Sequence, residues 1–378
     1  MKVSILGVDL GKTSCSIVGL DGSGCLVLRR RVRWEKLVEF VAALAPVVVA
    51  MEACCGAHHL GRVFGAAGIE VRLMSPEYVR PYVKAQKNDD RDAEAIAEAA
   101  TRPTMRFVPV KSEEQSDVQA LHRARERLVS ERTALINPLR ALLLERGIVA
   151  PKGRRELEDE LAVFADEKGG ALSPRIRLLI KGPRAEWRQL DERIAAFDTE
   201  FAKMAREDEA ARRLGTIPGI GVINATALVA ALGDGHSFGR GRYLAAWLGL
   251  APRQMTTGGK PRQLGISKRG NRYLRKNLSH GERAVLRRLL HQETPLGRWV
   301  RALAGRAHMN VVVVTLAAKL ARIVWAVRRK GRPFDLAAAA MSRGPDRSDG
   351  RCARRPFLSA GGEEDGLTVE RQHGNLDH

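Results

Sequence analysis

The polar and apolar positions of the chain change period several times, and each change marks a different kind of element. Between Lys2 and Ser75, KVSILGVDL, CSIVGL and CLVLRRRV read as three strands, the second and third joined by DGSG, a sequence suited to a tight hairpin turn. WEKLVEFVAAL has helical spacing, and PVVVAME and EVRLMS are short apolar runs of the kind that form buried strands. A strand meander followed by alternating helices and strands predicts an α/β unit, a mixed sheet with helices on its faces. KNDDRDAEAIAEAA opens a further helix. Ser112 followed by Gln115 has the form of a capping box, and beyond it Leu121, Leu128, Leu135 and Leu142 recur every seven residues until Gly147 supplies a stop. Residues 150–175, with Gly-Gly and Ser-Pro, read as a linker or loop. Trp187, Leu190, Ile194, Phe197, Phe201 and Met204 then advance in steps of three and four, an a/d seam that suits packing within the chain or pairing between protomers. After Leu214 short helices alternate with Gly-rich turns and end in a helix through VVVVTLAAKLARIVWAVRRKG. Past Phe334 the composition becomes that of a disordered tail.

At 378 residues the chain has room for two or three domains, and 44% hydrophobic residues exclude wholesale disorder. Its 64 Lys and Arg against 43 Asp and Glu leave a net charge of +21, which points to a polyanionic partner. More than half of that excess lies between Ala251 and Arg306, where 14 Lys and Arg face only Glu282 and Glu293. Aromatics at 5% are too few for base stacking to be the main device. No uncharged apolar run reaches the ~18 residues of a membrane span, and the N-terminus lacks the layout of a signal peptide, so a cytosolic, nucleoid-associated protein is expected. The five cysteines have neither disulfide nor zinc-ligand spacing and read as reduced thiols, Cys54-Cys55 included.

Candidate chemistry begins with carboxylates. Asp9 and Glu52 each end an apolar strand, where a charge needs a partner, and Asp89 and Asp92, three apart, share one face of a helix start while Asp90 points elsewhere. Asp89 and Asp90 also suit a helix N-terminus for electrostatic reasons alone. Four converging acids ionise together only with cations among them. An all-oxygen set without His or Cys suits Mg²⁺, and two such ions can stabilise both oxygens of a phosphoryl displacement. His58, His59, His122 and His280 lack metal spacing; His58-His59 reads as a helix start, with substrate contact near Glu52 as the alternative.

The basic half offers a second candidate surface. LGTIPGIGVINATALVAAL reads as helix, Gly-x-Gly turn, helix, similar to helix-hairpin-helix modules, in which Gly219 and Gly221 bring backbone close to a phosphate at the next helix's N-terminus. A plain helical hairpin with Gly in its turn fits the same pattern. Arg253, Lys260, Lys268, Arg269, Arg272 and Arg275, with Gly258, Gly259, Gly270 and Asn271, form a flexible basic loop suited to wrapping phosphates. Arg283, Arg287, Arg288, Arg298 and Arg301 extend the charge along helices.

GVDLGKT, AMEACCGAHH and KNDDRDAEAIA resemble the successive acidic motifs of the DEDD transposases of the insertion-sequence-110 family, in its subgroup with EAC-x-GAHH. LGTIPGIGVINATALVAALGD, YLAAWLGLAPRQ and GGKPRQLGISKRGNRYLRKNL resemble the family's second signature, so the likeness spans residues 1 to about 335. It implies a RuvC/RNase H-like catalytic domain (1–110), long helices with a coiled-coil segment (111–208), a mainly α C-terminal transposase domain (209–335) and the tail (336–378). It further implies a recombinase acting on DNA, guided by a bridge RNA encoded by the element, working as a dimer or tetramer, with Asp9, Glu52, Asp89 and Asp92 as the metal-binding tetrad. The family's Ser nucleophile falls in a segment similar to PRQMTTGGK, where this chain has Thr257, with Thr256 beside it, and no Ser; Ser267 is another candidate hydroxyl. A structure-specific nuclease of the Holliday-junction-resolvase kind and a catalytically impaired nucleic-acid-binding relative share these features.

Overall fold

The computed structural model describes residues 2–45, 47–84, 88–165 and 172–335. Six strands, β1 (Ile5–Asp9), β2 (Ser14–Leu20), β3 (Leu26–Arg33), β4 (Val48–Glu52), β5 (Val71–Met74) and β6 (Phe107–Val108), form one sheet in the order β3-β2-β1-β4-β5-β6. β1, β2 and β3 are an antiparallel meander, β4 and β5 run parallel to β1, and β6 returns antiparallel. The predicted mixed sheet is present; β6, two residues long, is too short to mark the hydrophobic pattern. Helices α1 (Leu37–Ala43), α2 (Ala57–Ala66), α3 (Pro76–Val79) and α4 (Asp89–Thr101) connect or cover these strands.

Alternate strand residues face opposite sides of the sheet. On one side Leu6, Val8, Ile17, Val49 and Met51 pack with Leu37 and Val41 of α1 and Leu60 and Phe64 of α2. On the other, Ile5, Val18, Ala50 and Met74 meet the alanine-rich face of α4, including Ala93, Ala97 and Ala100. The closest approach is at Gly7, where an added Cβ would lie 2.2 Å from the Ala93 carbonyl oxygen and 2.5 Å from the Ala97 nitrogen. A residue without a side chain on the strand and methyl groups on the helix therefore let α4 lie directly on β1.

Beyond the sheet come α5 (Glu113–Leu144), α6 (Arg154–Ala165) and α7 (Pro174–Glu207). The Ser112 capping box forms, its hydroxyl accepting from Gln115 N–H and the Gln115 side chain accepting from Ser112 N–H, both at 3.0 Å. Residues 150–175 are not simply a loop: α6 occupies much of them, its Leu157, Leu161 and Ala165 packing with Leu139, Leu143 and Trp187. Those apolar positions recur every four residues, diluted by charged neighbours. The a/d seam of α7 is covered within the chain, Leu190 and Ile194 by Leu128 of α5 and Phe201 by the His122 ring at 4.0 Å. In the seven-residue Leu series of α5 only Leu128 is fully buried.

The remaining elements are α8 (Glu209–Gly215), α9 (Val222–Leu232), α10 (Gly241–Trp247), β7 (Pro252–Thr257), β8 (Lys260–Ile266), α11 (Arg272–Leu290), α12 (Pro295–Ala304) and α13 (Met309–Lys330). Of the expected basic loop, Arg253, Gly258, Gly259 and Lys260 lie in a β-hairpin, Lys268 to Asn271 in the turn that follows it, and Arg272 and Arg275 in the first turn of α11. Gly258 and Gly259 have φ of 57° and 74°, consecutive left-handed residues of the kind a two-residue hairpin turn requires. α13 is long and apolar enough to cross a membrane by length and mean composition, which the expectation from uncharged runs did not register. It carries Lys319 and Arg322 midway, and its Val312, Leu316, Leu320 and Val324 are buried in one core with Leu228, Leu244, Leu278 and Leu286. The expected tail, 336–378, lies outside the described residues.

Gly7→Ala is expected to overpack the β1–α4 contact and cost about 1–3 kcal/mol of stability in urea unfolding; unchanged unfolding would show that α4 does not need this close approach.

Candidate active site

β1 and β4 pair in parallel with Val8 opposite Met51, so Asp9 and Glu52 follow at the carboxyl ends of adjacent strands. That edge is where open α/β sheets expose their ligand sites. α4 begins there, with Asn88 Oδ1 capping it by accepting from Asp90 N–H at 3.0 Å. The result is a cluster in which Asp9, Asp89 and Asp92 each offer a carboxylate oxygen within 4.8 Å of the others. Glu52 stands beside this triad rather than in it; burial, then the charges of Asp9 and Asp92, push its carboxyl above the usual range. Asp90 takes no part in the cluster.

Arg31 of β3 holds Asp89 at 2.5 Å in a largely exposed ion pair, which neutralises one of the three charges. Ser16, the cross-strand partner of Asp9, is buried with its hydroxyl lacking a hydrogen-bond partner among the described residues. Crowded carboxylates, an all-oxygen donor set and a spare hydroxyl fit a hard divalent cation. Burial, then Glu52 and Asp9, raise the Cys54 thiol, so it stays neutral beside these acids rather than offering a thiolate. The described cysteines, Cys15, Cys25, Cys54 and Cys55, are all free.

His58 is tied into the structure. Its Nδ1 accepts from Lys111 N–H at 3.3 Å and its Nε2 lies 3.2 Å from Lys111 Nζ, while burial, then Lys111, Arg62 and Arg123, lower its pKa to about 4. His122 is buried between Tyr273 and Thr226, at 3.0 and 3.1 Å, and burial followed by Arg125 likewise lowers it to about 4.

The hairpin register sorts the candidate hydroxyls. Thr257 lies opposite Lys260 and Met255 opposite Arg262, so these four share one face; Thr256 lies opposite Pro261 and Gln254 opposite Gln263 on the other. Thr257 is therefore the hydroxyl on the cationic face. Ser267 sits at the hairpin base, its Oγ accepting from Arg269 N–H at 3.4 Å. Arg253, Lys260, Lys268, Arg269 and Arg272 are exposed. Arg275 is committed elsewhere: its Nη1 donates to the carbonyls of Leu248 and Arg269, both at 2.9 Å, pinning the turn that carries the hairpin. Lys268 in that turn has φ of 56°, a left-handed value rare for a side chain of its size. Arg269 reaches Glu77 of α3 at 3.2 Å, which brings the basic turn against the segment that leaves β5 at the carboxylate edge of the sheet.

The Gly-x-Gly turn between α8 and α9 forms as expected, but its two glycines differ. Gly219 has φ of 86°, and a Cβ there would lie 2.9 Å from Glu282 Oε2, whereas one at Gly221 would meet open space. Glu282, not foreseen as a functional residue, is fully buried, neither carboxylate oxygen has a hydrogen-bond partner among the described residues, and burial pushes it to about 9. Its signal was available: it is the lone acid of α11, among several cations, and falls on that helix's Leu278–Leu286 stripe. Asn224, also buried, donates to the carbonyls of Gly219 at 3.3 Å and Asn277 at 3.2 Å, which locks the turn to α11. The outer side of the turn opens on a cleft of about 1000 Å³ whose lining includes Arg125, Lys276, His280 and Arg288.

A mixed sheet with a strand-end carboxylate cluster, joined to a basic helical half, is consistent with a DEDD-type transposase. The family descriptions that match are a DEDD transposase of the IS110 type over residues 6–147 and "Transposase IS116/IS110/IS902 family" over 211–295. The chain is 43% identical over 325 residues to the transposase for insertion sequence element IS1111A of Coxiella burnetii, covering 86% of this chain and 89% of that protein. It is 44% identical over 329 residues to a probable family 20 transposase of Pseudomonas aeruginosa, covering 86% and 97%. Against the transposase for IS1328 of Yersinia enterocolitica it is 42% identical over 333 residues, covering 88% and 99%. The chain belongs to the IS110 family of insertion-sequence transposases.

Glu282→Gln is expected to stabilise the protein at pH 7 by an amount on the order of 3 kcal/mol, read from urea unfolding, because it removes the cost of holding this carboxyl neutral. Its folded pKa is raised, so its contribution is present below about 4.5 and is lost as pH rises toward about 9. His58 and His122 have lowered pKa values and act oppositely, withdrawing stability as pH falls from about 6.5 to about 4. The variant should lose only the decline of stability between about pH 4.5 and about 9; an unchanged decline would place the Glu282 carboxyl in a better-solvated state.

Proposed function

We propose that the chain is a divalent-metal-dependent DNA recombinase that excises and inserts its own element, with a RuvC/RNase H-like catalytic domain over residues 1–110 and a transposase domain over 209–335. The observation that carries this reading is the carboxylate triad within 4.8 Å at the open edge of the sheet, with Glu52 beside it. Mg²⁺, as two ions held by Asp9, Glu52, Asp89 and Asp92, would stabilise the attacking and leaving oxygens of a phosphoryl displacement. Thr257 Oγ would lose its proton and attack a DNA phosphodiester, forming a bond to phosphorus as the bond to one deoxyribose oxygen breaks; that oxygen would take up a proton and leave as a free hydroxyl, with the other DNA end linked to the protein. Lys260, across the hairpin from Thr257, would offset charge building on the phosphate. The Thr methyl crowds Oγ relative to a Ser and restricts χ1, so attack would be slower than from an unbranched hydroxyl.

The net charge of +21 exceeds what one short DNA contact requires and suits a second polyanion, a bridge RNA encoded by the element. Base pairing by such a guide would choose the target, while the protein reads shape and backbone. A homo-oligomer, dimer or tetramer, would hold two DNA partners together in the cytoplasm, at the nucleoid.

With DNA carrying the element's ends, Asp9→Ala is expected to abolish Mg²⁺-dependent cleavage by about a thousandfold or more while leaving binding intact; unchanged cleavage would remove the metal reading. Thr257→Ala should abolish an SDS-resistant protein–DNA adduct and Thr257→Ser should keep it. Cleavage by the wild type without any adduct would make water the nucleophile, as in a junction-resolving nuclease. Binding without cleavage would mark an impaired relative.

A further inference from the structure

Among the described residues of the C-terminal half, the β7–β8 hairpin is largely exposed and has little to hold it in place. All of Pro252–Thr257 is exposed, as is most of Lys260–Ile266, and only Ile266, at its base, packs against the apolar core. Each strand reaches about 20 Å at ~3.4 Å per residue. A two-stranded ribbon so exposed is unstable alone in water, so its conformation points to a surface outside the chain.

Its chemistry says which surface. No Asp or Glu occurs between Asp234 and Glu282. Lys260 and Arg262 form no ion pair among the described residues, in a structure where many other cations are paired. The register places both on one face with Thr257 and Met255, the last 49% exposed, while the opposite face carries Gln254, Thr256, Pro261 and Gln263. One face thus combines two free cations, a hydroxyl and an apolar side chain, a set that matches phosphates, guanine acceptors and thymine methyl groups. The groove of B-form DNA, about 12 Å wide on its major side, admits a two-stranded ribbon, whereas the major groove of double-stranded RNA is too narrow for one.

We propose that the β7–β8 ribbon enters the major groove of double-helical DNA with its Met255, Thr257, Lys260 and Arg262 face, so that the chain itself contacts base edges beside the phosphate that Thr257 meets. This rests on the reading of the chain as a DNA-cutting enzyme with Thr257 at the reacting phosphate. It adds Arg262 and Met255 as DNA-contacting residues and gives the protein a means of sequence preference independent of any guide. Gly258 and Gly259 keep the apex narrow enough to enter the groove.

The test uses the full chain with Asp9→Ala to prevent cleavage, and fluorescence anisotropy on three probes: a mixed-sequence 40-base-pair DNA duplex, the same duplex carrying glucosylated 5-hydroxymethylcytosine, which fills the major groove and leaves the phosphates free, and the matching RNA duplex. Expected are at least tenfold weaker binding to the glucosylated duplex, and binding to the RNA duplex that substitutions in the ribbon leave unchanged. Lys260→Ala and Arg262→Ala should each weaken binding to plain DNA by roughly tenfold and lower the salt slope by about one. Gln254→Ala and Gln263→Ala, on the opposite face, should leave it unchanged. Equal binding to plain and glucosylated duplexes, equal loss from both faces, or an equal loss of RNA-duplex binding in Lys260→Ala and Arg262→Ala would overturn the proposal. Absence of DNA binding by every version would instead overturn the DNA-cutting reading on which it rests.

Discussion

The packing of α4 on β1 at Gly7 is the contact on which the site depends. A strand residue with no side chain faces Ala93 and Ala97 at a distance no other residue type would permit. The helix is thereby held so close that its first turn sits at the end of the strand. Asp89 and Asp92 then meet Asp9 within 4.8 Å although some eighty residues separate them along the chain. The repulsion among these carboxylates opposes the fold, and Arg31 relieves only part of it. Core packing of alanines against glycine thus holds in place a charge arrangement that would otherwise push apart.

A similar economy of space organises the basic half. An added Cβ at Gly249 would fall 2.0 Å from the Arg269 carbonyl oxygen, and one at Gly270 would fall 1.8 Å from that of Trp247. The two segments that carry the hairpin are therefore pressed together, with Arg275 bonded across them. Arg269 then links that turn to Glu77 near the acidic edge. Behind the Gly-x-Gly turn, Glu282 fills the space a side chain at Gly219 would need. Close backbone approaches, rather than large apolar contacts, aim both surfaces.

Much of this was legible in the chain. The β1–β3 meander, the strand-end positions of Asp9 and Glu52 and the shared face of Asp89 and Asp92 follow from period and spacing, and the Ser112 cap forms as its sequence indicates. What escaped did so for physical reasons. TTGGK is a two-residue hairpin signal, but its strands are polar on both faces, so no alternation of apolar positions marks β7 and β8. α6 was hidden because charges surround its three buried residues. Arg275 counts as one more cation in the sequence, and only its carbonyl partners reveal that it serves the fold. The separation of Glu52 from the triad cannot be read from local spacing, since it depends on packing between distant elements.

The measurement that bears most directly on the site is the binding of Mn²⁺, a spectroscopic substitute for Mg²⁺, followed by electron paramagnetic resonance on the full chain and on Asp92→Asn, which keeps the side chain's shape and removes its charge. Saturable binding by the wild type, weakened at least tenfold in Asp92→Asn, is expected if the α4 carboxylates and Asp9 form one cation site. Equal binding by both proteins, or none by the wild type, would contradict it.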